Sequence, residues 1–284
     1  MAAFIGLSVA QAGAGELKPM GRYVWDEARE SFGGYSGLVV HPGGAELLTV
    51  SDRGTLVRAS IARGEDGLIT AVATESETRL VDNFGKEVDG FTGDAEGLAE
   101  APDGTLYVAY ESYVRVTGLR LPDRKPIPLH PWDRFKDLWG NEAFEGIAVL
   151  PDGAPMVVLE EAGPEGYETL ILRDGAWSAG PTLPGADGYA ASDCLVDPEG
   201  RLYLLERSVS LIGRFSTRIR RFVSDGAGFG MSETLLETRP GEMDNMEGMA
   251  LWQDGRGRRI LTLISDDNFR AVQNTEIAEF EVVE

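Results

Sequence analysis

The chain has 284 residues, 43% of them hydrophobic, and a formal net charge of −21 with a sequence pI of about 4.5. This length and composition are typical of a single folded domain. The charge argues against nucleic acid and anionic membranes as partners, because phosphate groups are bound by basic protein surfaces. We expect a monomer whose partners are a small molecule and a divalent cation.

The first residues have the character of a shortened export signal. Residues 2–12 are mostly small and apolar, and two overlapping triplets around Ala12 fit the small-residue pattern of a signal-peptidase site. A basic leading segment is missing, and the stretch is too short to cross a bilayer. We therefore expect residues 1–14 to be a remnant of an export signal or a disordered terminus. A single domain over residues 15–284 would follow, in a periplasmic or secreted protein.

A hairpin motif then recurs five times along the chain. Each copy has a polar residue at the start of one strand, a turn that contains Pro or Asp-Gly, and a second polar residue at the end of the next strand. In two copies these polar residues are 15 positions apart with the turn midway, so a hairpin would place them together at its open end. The starting residues are Ser36, Glu96, Glu145, Ser192 or Asp193, and Glu247. The ending residues are Asp52, Glu111, Glu160, Glu206-Arg207 and Asp266.

The spacing of these copies predicts an all-β fold of the β-propeller type. The prolines at positions 42, 102, 151 and 198 are separated by 60, 49 and 47 residues. Periods of this length with several strands each indicate propeller blades. We predict five four-stranded repeats in five or six blades, with further strands over residues 113–116, 169–172 and 218–222 and a short helical turn over 131–138.

The last repeat is too short to be complete. After Glu247 there is room for about three strands. We predict that residues 21–25 supply the missing outer strand and close the ring.

A glycine follows the first polar residue in four of the copies, at Gly37, Gly97, Gly146 and Gly248. Innermost propeller strands crowd around the axis, where glycine permits close backbone approach. The fourth copy has Asp193 at this place. Because neighbours on a strand point to opposite faces, either Ser192 or Asp193 should occupy the axial position.

Several carboxylates around one axis predict a cation site. Burying them uncompensated is costly, and a bound cation relieves their repulsion. Oxygen-only ligands favour calcium or magnesium, and calcium tolerates irregular coordination. The predicted ligands are Glu96, Glu145 and Glu247, helped by Asp52, Glu111, Glu160 or Asp266. Each acid could instead accept hydrogen bonds from neighbouring backbone amides.

These motifs resemble the phytase-like esterase domain family. The match rests on SDRG at 51–54, DAEGLA at 94–99, NEAFEGI at 141–147, ERS at 206–208, NMEGM at 245–249 and SDDNF at 265–269. It extends from about Tyr35 to the C-terminus. The resemblance implies a β-propeller, export, and hydrolysis of a carboxylic or phosphate ester.

In the hydrolase hypothesis, calcium polarises the scissile group and lowers the pKa of bound water, and a carboxylate off the metal is the base. Arg53 and Arg207 follow the second motif strand and are predicted to clamp an anionic substrate, unless each only pairs with a ring carboxylate. His41 lies at the opposite end of its hairpin, and His130 is expected to stiffen a proline-rich loop.

Two other classes stay open. One is a calcium-stabilised binding propeller without catalysis, and the other is a calcium-dependent lactonase, for which Asn141, Asn245 and Asn268 would be suitable ligands. Covalent nucleophile chemistry is disfavoured, because the sequence has no Gly-x-Ser-x-Gly motif and only two histidines. Cys194, the single cysteine, is expected to be an inert buried thiol.

Overall fold

The computed structural model describes residues 15–131, 133–138, 143–185, 188–224, 228–270 and 272–284. Its strands form five four-stranded antiparallel sheets, the blades of a β-propeller. The predicted fold is confirmed, and the number of blades is five. The expected export signal lies outside the described residues. Within the described part of the chain, no helix is long and apolar enough to span a membrane.

Each blade is one sheet, and its strands run in order from the axis outwards. Blade 1 contains β2 (Tyr35–Val40), β3 (Glu46–Ser51), β4 (Thr55–Arg63) and β5 (Ile69–Arg79). Blade 2 contains β6 (Ala95–Glu100), β7 (Leu106–Tyr110), β8 (Arg115–Arg120) and β9 (Lys125–Pro128). Blade 3 contains β10 (Phe144–Val149), β11 (Pro155–Gly163), β12 (Gly166–Arg173) and β13 (Ala176–Ala179). Blade 4 contains β14 (Ala190–Val196), β15 (Leu202–Val209), β16 (Phe215–Val223) and β17 (Met231–Glu237).

Blade 5 is completed by the N-terminal strand, as predicted. It contains β18 (Met246–Gln253), β19 (Arg259–Ser265), β20 (Thr275–Val283) and, at its outer edge, β1 (Glu16–Trp25). Glu16 pairs with Val283 at one end of the strand pair and Trp25 with Thr275 at the other. Trp25 is buried and stacks on Tyr35 of blade 1, with ring centroids 5.1 Å apart. The closing strand is therefore longer than the five residues expected from the sequence.

The inner strands β2, β6, β10, β14 and β18 pack against one another around the axis. A Cβ atom added to Gly37 would lie 2.4 Å from the backbone nitrogen of Leu98, and one on Gly146 would lie 2.7 Å from that of Cys194. Glycine is thus required by close backbone approach, as the repeat suggested. The hydrophobic core lies between adjacent blades; Val50 of blade 1 and Val108 of blade 2, for example, share one buried cluster.

Two local predictions were wrong. The strand expected over residues 113–116 begins at Arg115, because Tyr113 and Val114 belong to the turn before β8. The described residues of segment 131–138 form turns and no helix. A single 3₁₀ turn at Gly90–Thr92 is the helical element of the described chain. Cys194 is buried and unpaired, as expected.

Candidate metal centre and active site

A break in strand register lies at the open end of every inner hairpin. In blades 2 to 5 the residues omitted from the pairing are Glu96, Glu145, Ser192 and Glu247. In blade 1 the omitted residue is Gly37, directly after Ser36. Such β-bulges reorient side chains and are frequent beside active sites. They set a buried ring of Ser36, Glu96, Glu145, Ser192 and Glu247 at one end of the axis, hereafter the axial ring.

Asp193 resolves the ambiguity of the fourth repeat. Ser192 takes the ring position, and Asp193 takes the place that glycine has in the other blades. The buried Asp193 carboxylate accepts hydrogen bonds from the backbone N–H groups of Cys194 at 2.8 Å and Met249 at 2.7 Å. It also bonds to the backbone of Ile147, so this side chain joins the inner strands of blades 3, 4 and 5.

A second set of polar residues, hereafter the outer set, lies where the second strand of each hairpin reaches the same end. Backbone bonds hold these positions: Glu111 N donates to Asp94 O at 3.0 Å, and Asp266 N donates to Asn245 O at 2.9 Å. Because of the bulge, the backbone of Glu111 pairs with Asp94, while its side chain also lies near Glu96, as the spacing predicted. The outer set consists of Asp52, Glu111, Glu160, Arg207 and Asp266.

The acids of the two sets converge into two overlapping clusters. Asp94, Glu96 and Glu111 each offer an oxygen within 4.8 Å of the other two, and Glu111, Glu145 and Glu160 do the same. Glu111 belongs to both clusters. Asp94 was not among the predicted ligands; its signal in the sequence is an acid two positions before the ring glutamate. Donor sets made of carboxylate oxygens suit calcium or magnesium.

Burial makes these carboxyls hard to ionise. Burial is the largest cause that raises the pKa of Glu96 well above its usual range, and the charges of Glu145 and Glu247 add to it. Burial also raises the pKa of Glu145 well above its usual range, although the Arg207 guanidinium opposes the shift. Both side chains thus lie where an added cation would favour the ionised form.

The outer set shows the same effect in less buried positions. Burial and the charge of Asp94 raise the pKa of Asp52 to about 6 and that of Glu111 to about 7. Burial and the charge of Glu247 raise the pKa of Asp266 to about 8. These groups therefore titrate near neutral pH.

Arg207 lies among the carboxylates. Its Nη1 donates to Glu247 and to Asn245 Oδ1 at 3.3 Å, and its Nη2 donates to Glu160 at 3.3 Å. Burial alone would lower the pKa of Arg207, but the carboxylates of Glu247, Glu145 and Glu160 raise it, so the guanidinium stays charged. The Glu247 carboxylate also accepts hydrogen bonds from Asn245 and from Ser36 at 2.9 Å. Glu247 is thus occupied by protein donors, and it positions Arg207.

Arg53 is close enough for its charge to act on Asp52, but it is not inserted among the carboxylates as Arg207 is. The side chain is exposed, its Cζ lies 3.3 Å from the centroid of the Phe269 ring, and Nη1 donates to the backbone oxygen of Glu30 at 3.0 Å. Arg53 forms no ion pair with any described residue. Of the two arginines expected at the site, the structure therefore brings only Arg207 into contact with the acids.

The remaining candidates lie elsewhere or outside the described chain. Glu206 is buried within blade 4, where Arg218 and Arg220 donate to it at 2.7–2.9 Å. His130 is buried, and its ring nitrogens bond to Val116 N and Pro131 O, as suits a loop connector. Asn141 is not among the described residues.

A cavity of about 880 Å³ adjoins the axial ring above blades 3 and 4. Its inner wall includes Glu160 and Arg207 of the outer set and Asn245, and its outer wall includes Tyr189 and Arg270. A small molecule bound there would contact both the charged arginine and Glu160 of the second cluster.

Comparison with known proteins identifies the family and the fold. A family model named phytase-like, esterase-like activity of phytase, matches residues 30–269. No curated protein matches the chain.

Three solved structures resemble this chain at low sequence identity. An α-L-arabinofuranosidase from Podospora anserina is 12% identical with a TM-score of 0.55, covering 95% of this chain and 98% of its own. A protein provisionally named a gluconolactonase is 13% identical with a TM-score of 0.51, covering 94% and 95%. Regucalcin from Agrobacterium tumefaciens, a calcium-binding protein, is 12% identical with a TM-score of 0.49, covering 94% and 95%. At such identities the first two likenesses show the fold alone.

Proposed function

The chain belongs to the phytase-like family, and we propose that its axial site is a calcium-dependent hydrolase of phosphate or carboxylic esters. The observation that carries the proposal is the pair of carboxylate clusters that share Glu111 and adjoin Arg207 at the mouth of a cavity. Fold alone would not support an activity, since one fold serves many functions.

The residues present fit a hard divalent cation. Asp94, Glu96 and Glu111 would hold it in one cluster, and Glu145 and Glu160 with Glu111 in the other. Several of these carboxyls have raised pKa values because they are buried near one another, and a cation would supply the missing positive charge. When bound, calcium supplies a Lewis acid that polarises an ester oxygen and acidifies water.

Protein side chains supply the general base that takes a proton from water and the cation that binds the substrate. Asp52 and Asp266 belong to neither cluster, and burial together with neighbouring acids raises their pKa values to about 6 and about 8, so either suits a general base that takes a proton from water near neutral pH. Arg207 stays charged and is oriented by Glu247 and Glu160, so it can bind an anionic oxygen of the substrate.

Calorimetry on chelator-stripped protein tests the cation, and turnover of p-nitrophenyl phosphate and p-nitrophenyl acetate with and without calcium tests the chemistry. We expect calcium binding and calcium-dependent turnover of at least one ester. Glu111→Gln and Arg207→Gln should lower turnover by roughly a hundredfold or more, whereas the exposed Arg53→Gln should keep it. Calcium binding without turnover of either ester would overturn the hydrolysis of these two ester classes and leave a binding propeller or a lactonase.

A lactone is the second candidate substrate. Asn245 lies beside the axial ring and bonds to both Arg207 and Glu247, so an amide as well as carboxylates is available there. A lactone is an internal carboxylic ester and would use the same groups. Turnover of glucono-δ-lactone faster than of p-nitrophenyl acetate, with the same calcium dependence, would favour it.

We also propose that the protein is exported, since small apolar residues and two possible cleavage triplets precede Gly15. N-terminal sequencing of the protein from fractionated cells tests this. A cytoplasmic protein with an intact N-terminus would contradict it.

A further inference from the structure

A second cavity, of about 320 Å³, lies between blades 1 and 2. Its lining includes Thr92, two residues before Asp94, and Tyr113, two residues after Glu111. The cavity is therefore on the same face of the propeller as the axial ring but shares no lining residue with the 880 Å³ cavity there. The family match and the proposed hydrolase give it no role.

Arg115 lines this cavity without a counterion. The residue is 4% exposed and begins β8, and its Nη1 and Nη2 donate to the backbone oxygens of Tyr113 and Thr92. Its Nε has no hydrogen-bond partner, and neither has the buried hydroxyl of Tyr110, whose ring lies 3.6 Å from the guanidinium carbon. Leaving a buried cation unpaired is costly.

Among the described residues, the other buried arginines each pair with a carboxylate, and Arg115 does not. In the described part of the chain, the arginines with less than a tenth of their surface exposed are Arg115, Arg218, Arg220 and Arg221. Arg218 and Arg220 both pair with Glu206, and Arg221 pairs with Glu233 and Glu284. Among these four, Arg115 alone has no carboxylate partner in the described residues.

The acids that line the cavity are already bonded elsewhere. Asp82 Oδ1 accepts hydrogen bonds from the backbone N–H groups of Phe84 at 2.8 Å and Lys86 at 3.0 Å. Glu87 pairs with Arg124 at 3.2 Å. Neither carboxylate forms an ion pair with Arg115, although the charge of Asp82 acts on its guanidinium from a distance, and both would repel a ligand with more than one negative charge.

Apart from the exposed Lys86, the rest of the lining is apolar or neutral. It includes Phe84, Val88 and Tyr113. His130 also lines it, but burial lowers the pKa of the imidazole and both ring nitrogens are bonded to the backbone. A ligand here would therefore meet one buried cation and a mostly hydrophobic wall.

We propose that this cavity binds a small organic monocarboxylate with an aromatic or branched apolar body, and that its carboxylate pairs with Arg115. The guanidinium matches a carboxylate in shape and charge, and the apolar body would displace water from the hydrophobic wall. A doubly charged phosphate is disfavoured because Asp82 and Glu87 line the same space. The inference does not depend on the hydrolase proposal.

Benzoate is the probe, and benzamide is its neutral control of the same shape. We expect the full-length protein to bind benzoate and not benzamide in titrations followed by calorimetry and by nuclear magnetic resonance. Arg115→Gln should weaken benzoate binding by roughly tenfold or more. Arg207→Gln should bind benzoate like the wild type, since it alters only the axial site.

A second variant keeps the proposal testable if Arg115→Gln does not fold. Tyr113 is 39% exposed, so Tyr113→Glu should fold normally and repel benzoate from the cavity. Equal binding of benzoate and benzamide, undiminished binding in folded Arg115→Gln or Tyr113→Glu, or no binding of benzoate at millimolar concentration would each overturn the proposal. Loss of binding in Arg207→Gln would place benzoate in the axial site, and tighter binding of inorganic phosphate through Arg115 would refute the monocarboxylate.

Discussion

Replacing Asp266 with asparagine removes a carboxyl whose ionisation destabilises the metal-free fold. Burial and the charge of Glu247 raise its pKa from 3.8 to about 8. Between these values the folded protein holds a proton that the unfolded chain releases, so stability falls as pH rises. A single proton gives a slope of about 1.4 kcal/mol per pH unit. The protonated acid and the amide have nearly the same shape, and either can accept the N–H of Asn268.

The assay is urea unfolding of chelator-stripped wild type and Asp266→Asn from about pH 5 to about pH 7. Relative to the wild type, the variant should gain about 2 kcal/mol over this range, which is most of one proton's contribution. Asp152→Asn is the control, because hydrogen bonding by Arg173 lowers the pKa of this exposed carboxyl and keeps it ionised throughout. Parallel stability curves for wild type and Asp266→Asn would refute the reasoning.

Three further predictions concern the ring and its closure. Arg207→Gln should lower the free energy of unfolding by about 3 kcal/mol because it leaves buried carboxylates unpaired. The exposed control Arg53→Gln should change it by less than about 0.5 kcal/mol, and equal effects of the two variants in urea unfolding would contradict the prediction. Calcium affinity should rise with pH near neutrality, by roughly tenfold per pH unit for each proton displaced, because Glu111 has a pKa of about 7. If calorimetry shows no proton release on calcium binding, Glu111 is not a ligand. A chain beginning at Asp26 should melt about 10 °C below one beginning at Gly15, because it lacks β1 and the buried Trp25. Equal melting temperatures would show that the fold does not need β1 to complete blade 5.

The repeat was readable from the sequence because its chemistry is local. Asp-Gly turns and strand-length spacing define hairpins without tertiary information, and the short final repeat required an outer strand from elsewhere. β1 supplies it. The need for glycine at position 37 could also be predicted, because the inner strands crowd around the axis and leave no space there for a Cβ atom.

The detailed composition of the site was not readable in this way. Counting from the turn correctly brought Glu111 near Glu96, but a β-bulge adds one residue to one strand, so the backbone of Glu111 pairs with Asp94, an acid that the count missed. Arg53 and Arg207 both follow the second motif strand, but Arg207 takes the place in blade 4 that Asp52 has in blade 1, and Arg53 is one residue further along. Arg207 therefore lies among carboxylates and Arg53 against Phe269, a one-residue difference in register that the sequence alone did not reveal.

The pairing of β1 with β20 also decides when the site can form. Blades 1 to 4 are made of consecutive strands and can fold in the order of synthesis, but Glu16 meets Val283 only after nearly the whole chain is available. Contacts of such separation form slowly because the intervening chain must first be ordered. Glu247 and Asp266 belong to this last sheet, so the repulsion among the ring acids arises in the same step that joins the chain ends. A cation present at that moment would favour closure, and calcium should therefore accelerate the final phase of refolding as well as stabilise its product.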